Sequence, residues 1–368
     1  MKILVLTSRY TASRDIIGED FGRQARLFEA LKKLSHEIDF YCADYVKLEN
    51  KNLKLHGINV MIRPFGVSNF FSFLKGLNKT LKNKRYDILI ATSDPLWGAI
   101  GNFFAKKYDV KFLYDLHDNY ETYDSYKIPF MKYLDQNAVK NADIVTTVSY
   151  ALKEKILSIR KKNVFVIPNG VNLKLFKPMG RVSSRKKLRL PLKSKIIGYT
   201  GSLQKSLGVD ILIKVFERIK KENPESKLLL VGRLSKNKSN RPDIKKEGII
   251  TFDALRQEDV AFAINAADIV VAPSVSNEFT KYCFPYKCVE YMACNTPIVA
   301  TSLSDVKLML KDYKGSLCNP DDENELYKKI KIQMNKGKIN YRKTLSNFTW
   351  NRIALKLDKI IRGKIKND

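Results

Sequence analysis

The chain has 368 residues, 44% of them hydrophobic, with 67 Lys and Arg against 38 Asp and Glu for a formal net charge of +29. That length exceeds one ordinary core and points to two domains of roughly 150–180 residues. No apolar run approaches the roughly 18–20 residues of a membrane span, and five cysteines without a CxxC pair argue against a disulfide framework and a zinc site. They fit packing residues in a reducing cytoplasm. The positive excess implies an anionic partner, whether nucleic acid, an acidic membrane surface or a phosphorylated substrate. A proteome-wide excess of lysine is the alternative source.

The amino terminus, MKILVLTSRY, lacks a small-residue cleavage site and reads as a buried strand over Met1–Thr7, not as a signal peptide. A loop leads to a helix from about Phe21 to Leu34, with Gly18 just before it, where backbone could approach an anion. Glu19 beside it opposes that reading. Strands follow at Glu37–Cys42 and Asn59–Arg63. Residues 70–85 place Phe70, Phe73, Leu74, Leu77 and Leu81 on one helical face and Lys75, Lys79, Lys82, Lys84 and Arg85 on the other. That helix suits either a sheet-packing role or an anionic membrane surface. Further apolar strands at Tyr86–Thr92, Lys111–Leu116 and Ala142–Val148 alternate with helices. This is the pattern of an α/β, doubly wound parallel sheet.

From 173 to 195 the chain is basic, with two prolines and little apolar periodicity, and reads as an inter-domain linker on the surface. The alternation then restarts with IIGYTG at 196–201, a helix at Val209–Lys221, and strands at Lys227–Val231, Ile249–Phe252 and 268–273. A long loop carrying Glu278, Lys281, Pro285 and Lys287 follows, then a helix containing Glu290 and a strand, PIVAT. Such a loop at the carboxyl end of a parallel sheet is where open α/β folds bind ligands. Its lysines and glutamate suit an anionic ligand that also presents hydroxyls. A helical tail begins near Leu345.

Six collinear strings carry a resemblance: VIPNGVN at 166–172, GYTGSLQKSLGVDILI at 198–213, LLLVGRL at 228–234, AADIVVAPS at 266–274, EYMACNTPIVAT at 290–301 and FTW at 348–350. Together they resemble the group 1, family 4-like, retaining nucleotide-sugar glycosyltransferases of GT-B fold. The resemblance implies two Rossmann-like domains facing across a cleft, with residues 1–172 on the acceptor side and 196–345 binding the donor. Residues 346–368 would form a helix crossing back to the first domain. It implies sugar transfer with retention from a nucleotide-diphosphate sugar to a glycan or lipid-linked acceptor, with no cofactor and no obligatory metal. No DxD motif is present, and Asp321-Asp322 reads as a helix start.

By the same resemblance Glu290 matches the glutamate that accepts the ribose hydroxyls, which would be short, charge-assisted bonds. The acidic residue common eight positions earlier is Tyr282 here. Phe284, Pro285 and Lys287 stand in its place, with Lys281 close by. Gly201 matches the glycine that lets backbone approach the phosphates. The family's phosphate-binding arginine and lysine are Ser202 and Leu207 in this chain, leaving Lys205 or Arg233 to supply the charge. His117, with Asp118 next to it, matches a histidine near the transferred sugar, which would orient it or polarise a hydroxyl. Three other readings stand beside this one: a GT-B epimerase, a catalytically idle sugar-nucleotide binder, and a nucleic-acid-binding protein. The last is disfavoured because the lysines are spread over many helices without a recognition motif.

Overall fold

The computed structural model describes residues 1–11, 14–20, 22–253 and 256–365. The chain divides into two compact units: Met1–Gly170 with Tyr282–Phe284 and the segment from Trp350, and Val171–Lys281 with Pro285–Thr349.

The first unit contains strands β1 (Lys2–Ser8), β2 (Tyr10–Thr11), β3 (Arg14–Asp15), β4 (Glu37–Asp44), β5 (Lys51–Leu55), β6 (Ile58–Pro64), β7 (Ile88–Thr92), β8 (Lys111–Leu116), β9 (Ile144–Thr147) and β10 (Val164–Val166). Its helices include α1 (Gly22–Lys32), α2 (Phe70–Asn83), α3 (Pro95–Tyr108), α4 (Met131–Asn141) and α5 (Tyr150–Leu157). Phe21, the expected helix start, lies outside the described residues. β2 and β3 form a small hairpin, and the other strands form one sheet of order β10-β9-β8-β7-β1-β4-β6-β5. Every pair is parallel except β5 with β6. The strand order reverses at β1, so the carboxyl ends of β1 and β7 flank a topological switch point, the usual ligand position in open α/β sheets. In α2 the residues Phe73, Leu77 and Leu81 are buried, each contributing about 1.5–3 kcal/mol relative to exposure. The apolar stripe of that helix is therefore used by the core.

The second unit contains β11 (Ile196–Thr200), β12 (Lys227–Val231), β13 (Ile249–Phe252), β14 (Ile269–Ala272), β15 (Ile298–Thr301) and β16 (Leu317–Cys318). Its helices are α6 (Arg181–Lys187), α7 (Val209–Glu222), α8 (Gln257–Ala266), α9 (Tyr286–Ala293), α10 (Val306–Leu310), α11 (Glu323–Met334) and α12 (Arg342–Leu345). The sheet order is β13-β12-β11-β14-β15-β16, parallel throughout. Its switch point lies between β11 and β14. That places Gly201, which follows β11, beside the loop that follows β14. Val209, Leu212, Phe216 and Ile219 of α7 pack on Ile197, Leu228 and Leu230 of the sheet. Asp322 caps α11 by accepting from Glu325 N at 2.8 Å, so the Asp321-Asp322 pair is a helix start.

The expected basic linker at 173–195 is corrected. It carries α6, and it belongs to the second unit. Arg185, 3% exposed, forms an ion pair with Asp268 at 2.8 Å and donates to the carbonyls of Ala266, Leu192 and Ser194. Charge density suggested a solvated strap, but one of those charges is the buried clasp of the sheet's first strand. The final helix, α13 (Trp350–Ile365), belongs to the first unit and packs on α1. There Asp358 pairs with His36 at 2.7 Å and Arg362 donates to Leu34 O at 3.2 Å.

Candidate functional site

In the second unit the candidate residues gather around the turn after β11. Gly201 has φ +132°, and Gly232, at the end of β12, has φ +147°. A Cβ on Gly232 would stand 1.8 Å from Gly201 O. Only glycine permits that approach, which holds the two turns together and leaves Gly201 exposed. The Gly201 N–H itself is committed to Val231 O at 2.9 Å.

Lys287 was expected in the loop, but it lies in the first turn of α9, with Pro285 at the N-cap position. The helix begins right after Pro285, whose fixed φ and missing N–H suit a helix start. From there Lys287 Nζ donates to Tyr199 OH at 3.0 Å and sits 4.2 Å from the centre of the Tyr199 ring. It stands 3.3 Å from where a Cβ on Gly201 would be. Tyr199 OH in turn donates to Ser202 O at 2.9 Å. A helical cation is thus anchored against the glycine turn, where Ser202 and Leu207 provide none.

Glu290 is one helical turn further along α9, not at its start. Its carboxylate has no hydrogen-bond partner among the described residues, although the side chain is only partly exposed. Burial pushes its pKa up to about 8, an effect that the nearby Lys287 partly opposes. A first-turn glutamate placed there by the helix dipole is excluded by position. A half-buried carboxylate without a partner is costly unless a ligand completes it.

The other expected residues are less concentrated. Lys281 is exposed and paired with Glu278 at 3.1 Å. Ser202 Oγ accepts from Gln204 Nε2 at 2.7 Å. Lys205 and Arg233 are both exposed and have no ion-pair partner among the described residues. The backbone brings them into one region, because Leu203 N donates to Arg233 O at 2.8 Å. Phe284 is buried and is grouped, with Tyr282 and Cys283, in the first unit, whereas Pro285, Lys287 and Glu290 are grouped in the second.

In the first unit His117 follows β8 at the carboxyl edge of the sheet. Loss of water around its ring lowers its pKa to about 4, against the opposing field of Asp115. Three groups approach Nδ1: Tyr120 OH at 3.2 Å, Thr92 Oγ1 at 3.3 Å and Gln24 Nε2 at 3.4 Å. Thr92 Oγ1 donates to Asp115 Oδ2 at 2.9 Å, and Tyr120 OH donates to Asp115 O at 3.0 Å. Both hydroxyls offer lone pairs to the ring, which favours a proton on Nδ1, whereas Gln24 Nε2 carries only N–H donors and favours the opposite tautomer. Nε2 has no partner among the described residues.

Asp115 is buried and takes a bidentate pair from Arg23 at 3.0 and 2.8 Å, with Thr146 Oγ1 at 2.6 Å. Burial alone would raise its pKa, but the Arg23 charge and these bonds hold it below the usual carboxylate range. Arg23 also donates to Pro168 O at 3.0 Å and Asn169 Oδ1 at 3.2 Å, tying α1 to the VIPNG stretch. Sequence reasoning missed Arg23, Gln24, Asp115 and Tyr120. The available signal was an aspartate inside an otherwise apolar strand, KFLYDL. Asp118 accepts from Asn119 N at 2.8 Å and Tyr123 OH at 3.2 Å, and burial raises its pKa to about 6.

Gly18 is corrected. Its N–H donates to Asp15 Oδ1 at 2.8 Å, and a Cβ there would meet the same carboxylate. The turn already holds its anion, and Asp15 is paired with Arg9 at 2.8 Å.

Comparison with known proteins agrees with this architecture. A family described as Glycosyl transferases group 1 matches residues 194–335, and one described as Glycosyltransferase Family 4 matches residues 25–175. The D-inositol 3-phosphate glycosyltransferase of Stackebrandtia nassauensis is 27% identical over 215 residues, covering 54% of this chain and 47% of the relative. The chain spans about half the length of the curated relatives it matches. Sucrose-phosphate synthase of Thermosynechococcus elongatus superposes with a TM-score of 0.78 at 20% identity, over 100% of both chains. HepE of Anabaena, in complex with UDP and glucose, superposes at 0.73 and 18% identity, over 99% of this chain and 100% of its own. At such identities the structural likeness speaks for the fold alone. With the two family matches in chain order over two Rossmann-like units, the chain belongs to the group 1 glycosyltransferases of GT-B fold.

Proposed function

We propose that this chain is a retaining, metal-independent glycosyltransferase. Its second unit holds a nucleoside-diphosphate sugar, and its first holds a glycan or lipid-linked acceptor. The observation that carries the reading is the unpartnered, half-buried Glu290 one helical turn from Lys287, which is anchored against the Gly201 turn. Two ribose hydroxyls would satisfy the carboxylate, and a diphosphate would take the open donors of the ammonium. The same cation would stabilise charge building on the leaving phosphate. It fills the role that Ser202 and Leu207 leave empty, with Lys205 and Arg233 as exposed auxiliaries.

His117 is neutral at pH 7 and leaves Nε2 open to a sugar hydroxyl, so its role is to orient that hydroxyl and not to act as the general base. The leaving phosphate would take the proton of the acceptor, as the retaining front-face course requires. HepE was solved with UDP and glucose, so uridine nucleotides are the first donors to test. The reading places the protein in the cytoplasm, where nucleotide sugars are made. No helix among the described residues is long and apolar enough to cross a membrane.

The test is a thermal-shift panel of nucleoside diphosphates and their sugars on wild type and Glu290→Ala. Stabilisation grows with ligand concentration over the dissociation constant. One diphosphate that stabilises the wild type and not the variant supports the reading and identifies the base. Failure of every nucleotide to stabilise the wild type would overturn it.

A further inference from the structure

Among the described residues of the first unit, α3 lies between α2 and α4, and Lys107 Nζ and Tyr108 OH of α3 both bond Asn78 of α2 at 2.7 Å. This three-helix layer has an uneven charge. It carries Lys75, Lys79, Lys82, Lys106, Lys107, Lys132 and Lys140 and no arginine. Its one acid, Asp135, is buried and bonded to the Tyr114 and Tyr126 hydroxyls. By contrast α1, α7 and α11 each mix signs along their length. Of the acids at the margin, Asp124 pairs with Lys127 at 2.6 Å and Asp143 holds Phe112 N at 2.7 Å, while Asp109, the exposed C-cap of α3, sets one negative charge against the seven lysines.

Each helix of the layer also presents a large aromatic side chain to solvent: Phe71 is 82% exposed, Phe103 61%, and Tyr133 69%. The stretch before α4 adds exposed Ile128 and Pro129, with Leu134 beyond. Phe130 is the most informative residue. It is 82% exposed, yet its φ is +63°. Left-handed backbone is costly for a bulky residue and free for glycine. A phenylalanine in left-handed backbone at the N-cap of α4, with most of its side chain in solvent, gains the fold little, which points to a role outward.

We infer that the α2–α4 layer is a docking surface for an anionic lipid bilayer, with the lysines over the headgroups and Phe71, Phe103, Phe130 and Tyr133 entering the interface. Charge complementarity selects the occupant. Seven lysines without an exposed acid on the three helices suit a sheet of diffuse negative charge. Protruding aromatic side chains mixed with Ile128 and Leu134 suit the headgroup–acyl boundary. A nucleic acid would favour arginine forks and flat stacking platforms, and a second copy of this chain would meet like charge. The sequence left the helix at 70–85 to sheet packing, to a membrane surface or to both; its stripe is buried in the core, which leaves its lysines and Phe71 for the outer surface. The surface is shared by three helices.

The test is vesicle co-sedimentation of the full chain with phosphatidylcholine alone and with added phosphatidylglycerol. The variants are the triple Lys75→Glu, Lys79→Glu, Lys132→Glu and the single Phe130→Gly, which the left-handed backbone accommodates. Circular dichroism checks that both remain folded. Wild type is expected to bind anionic vesicles and to release as salt rises. The triple variant should lose affinity by on the order of a hundredfold or more, and Phe130→Gly by a few-fold. Equal binding to neutral vesicles, or undiminished binding by the folded triple variant, would overturn the inference. So would tighter binding of single-stranded nucleic acid than of anionic vesicles, or self-association lost in the triple variant. None of these readouts depends on sugar transfer.

Discussion

Lys287 and Tyr199 are 88 positions apart in the chain, yet the lysine Nζ lies 3.0 Å from the tyrosine hydroxyl and 4.2 Å from the ring centre. The pairing pre-orients a cation whose side chain would otherwise lose rotamer freedom on meeting a ligand. Lys287→Met is therefore expected to weaken a nucleoside diphosphate about tenfold to a hundredfold, the value of a hydrogen bond to a charged group. Binding of the bare nucleoside should stay within about twofold. Tyr199→Phe keeps the ring under the ammonium and should cost only a few-fold. Calorimetric titration of each ligand into each variant checks this. Equal losses for nucleoside and diphosphate would assign Lys287 to the base or ribose instead.

Glu290 makes a second prediction through its proton. With its pKa near 8, the free protein carries it largely protonated at pH 7. Hydroxyls that donate to the carboxylate favour the ionised form. Nucleotide binding below pH 8 should therefore release protons, seen as a buffer-dependent enthalpy in calorimetry. The sign for stability follows from the same shift. The unfolded chain loses this proton near the ordinary glutamate value, about 4.3, and the folded chain holds it to about 8. Stability thus falls as pH rises through that window and levels off above it. Glu290→Gln should melt above wild type without ligand, by a margin that grows from pH about 5 to 8. It should also lose the nucleotide-induced shift. A variant that melts below wild type at pH 8 would contradict the burial of an unpaired carboxylate.

His117 shifts the other way. Its folded pKa of about 4 lies under the unfolded value, so between about 6.5 and 4 the unfolded state binds the extra proton. Stability is lost as pH falls through that window. His117→Asn, which keeps an acceptor but cannot titrate, should flatten this part of the Tm profile. It should retain more turnover than His117→Ala. The Ala variant is expected to lose about ten- to a hundredfold in kcat/KM, the value of one oriented hydrogen bond. A wild-type rate profile with a titration near pH 6.5 that vanishes in His117→Asn would show that the ring works charged.

The contrast between what was legible and what was not has a physical basis. Continuous apolar strands such as ILVL at the start and IVVA at 269–272 announce a buried parallel sheet, and their order places Gly201 and the 273–285 loop at one switch point. The placement of Glu290 on a helix and of His117 at the end of a strand was readable from the same pattern, whereas the roles given to them came from the family resemblance. Asp115 with Arg23 and Lys287 with Tyr199 join positions about ninety residues apart, which only the folded sheet brings together. Gly18 was misread because a glycine before a helix says nothing about where its N–H points, and here it points to Asp15. Charge density misled at 173–195, where solvation was assumed for a cation that is in fact enclosed.

That enclosed cation gives the last prediction. Arg185 and Asp268 are each about 4% exposed and 2.8 Å apart, and Asp268 Oδ2 also accepts from Ile196 N at 2.7 Å. The pair therefore fixes the first residue of β11 and, through that strand, the position of the Gly201 turn. Removing one partner leaves a buried charge uncompensated, which costs about 3–5 kcal/mol. Asp268→Asn keeps the volume but strands Arg185, so its loss should fall in that range. The double variant Arg185→Met, Asp268→Asn should recover part of it, because no buried ion remains; Arg181, the other partner of Asp268 at 2.5 Å, is half-exposed and stays solvated. Urea unfolding of the two single variants and the double variant closes the cycle. If the double variant loses as much as the two singles summed, the two residues act independently, and the clasp is not what anchors β11.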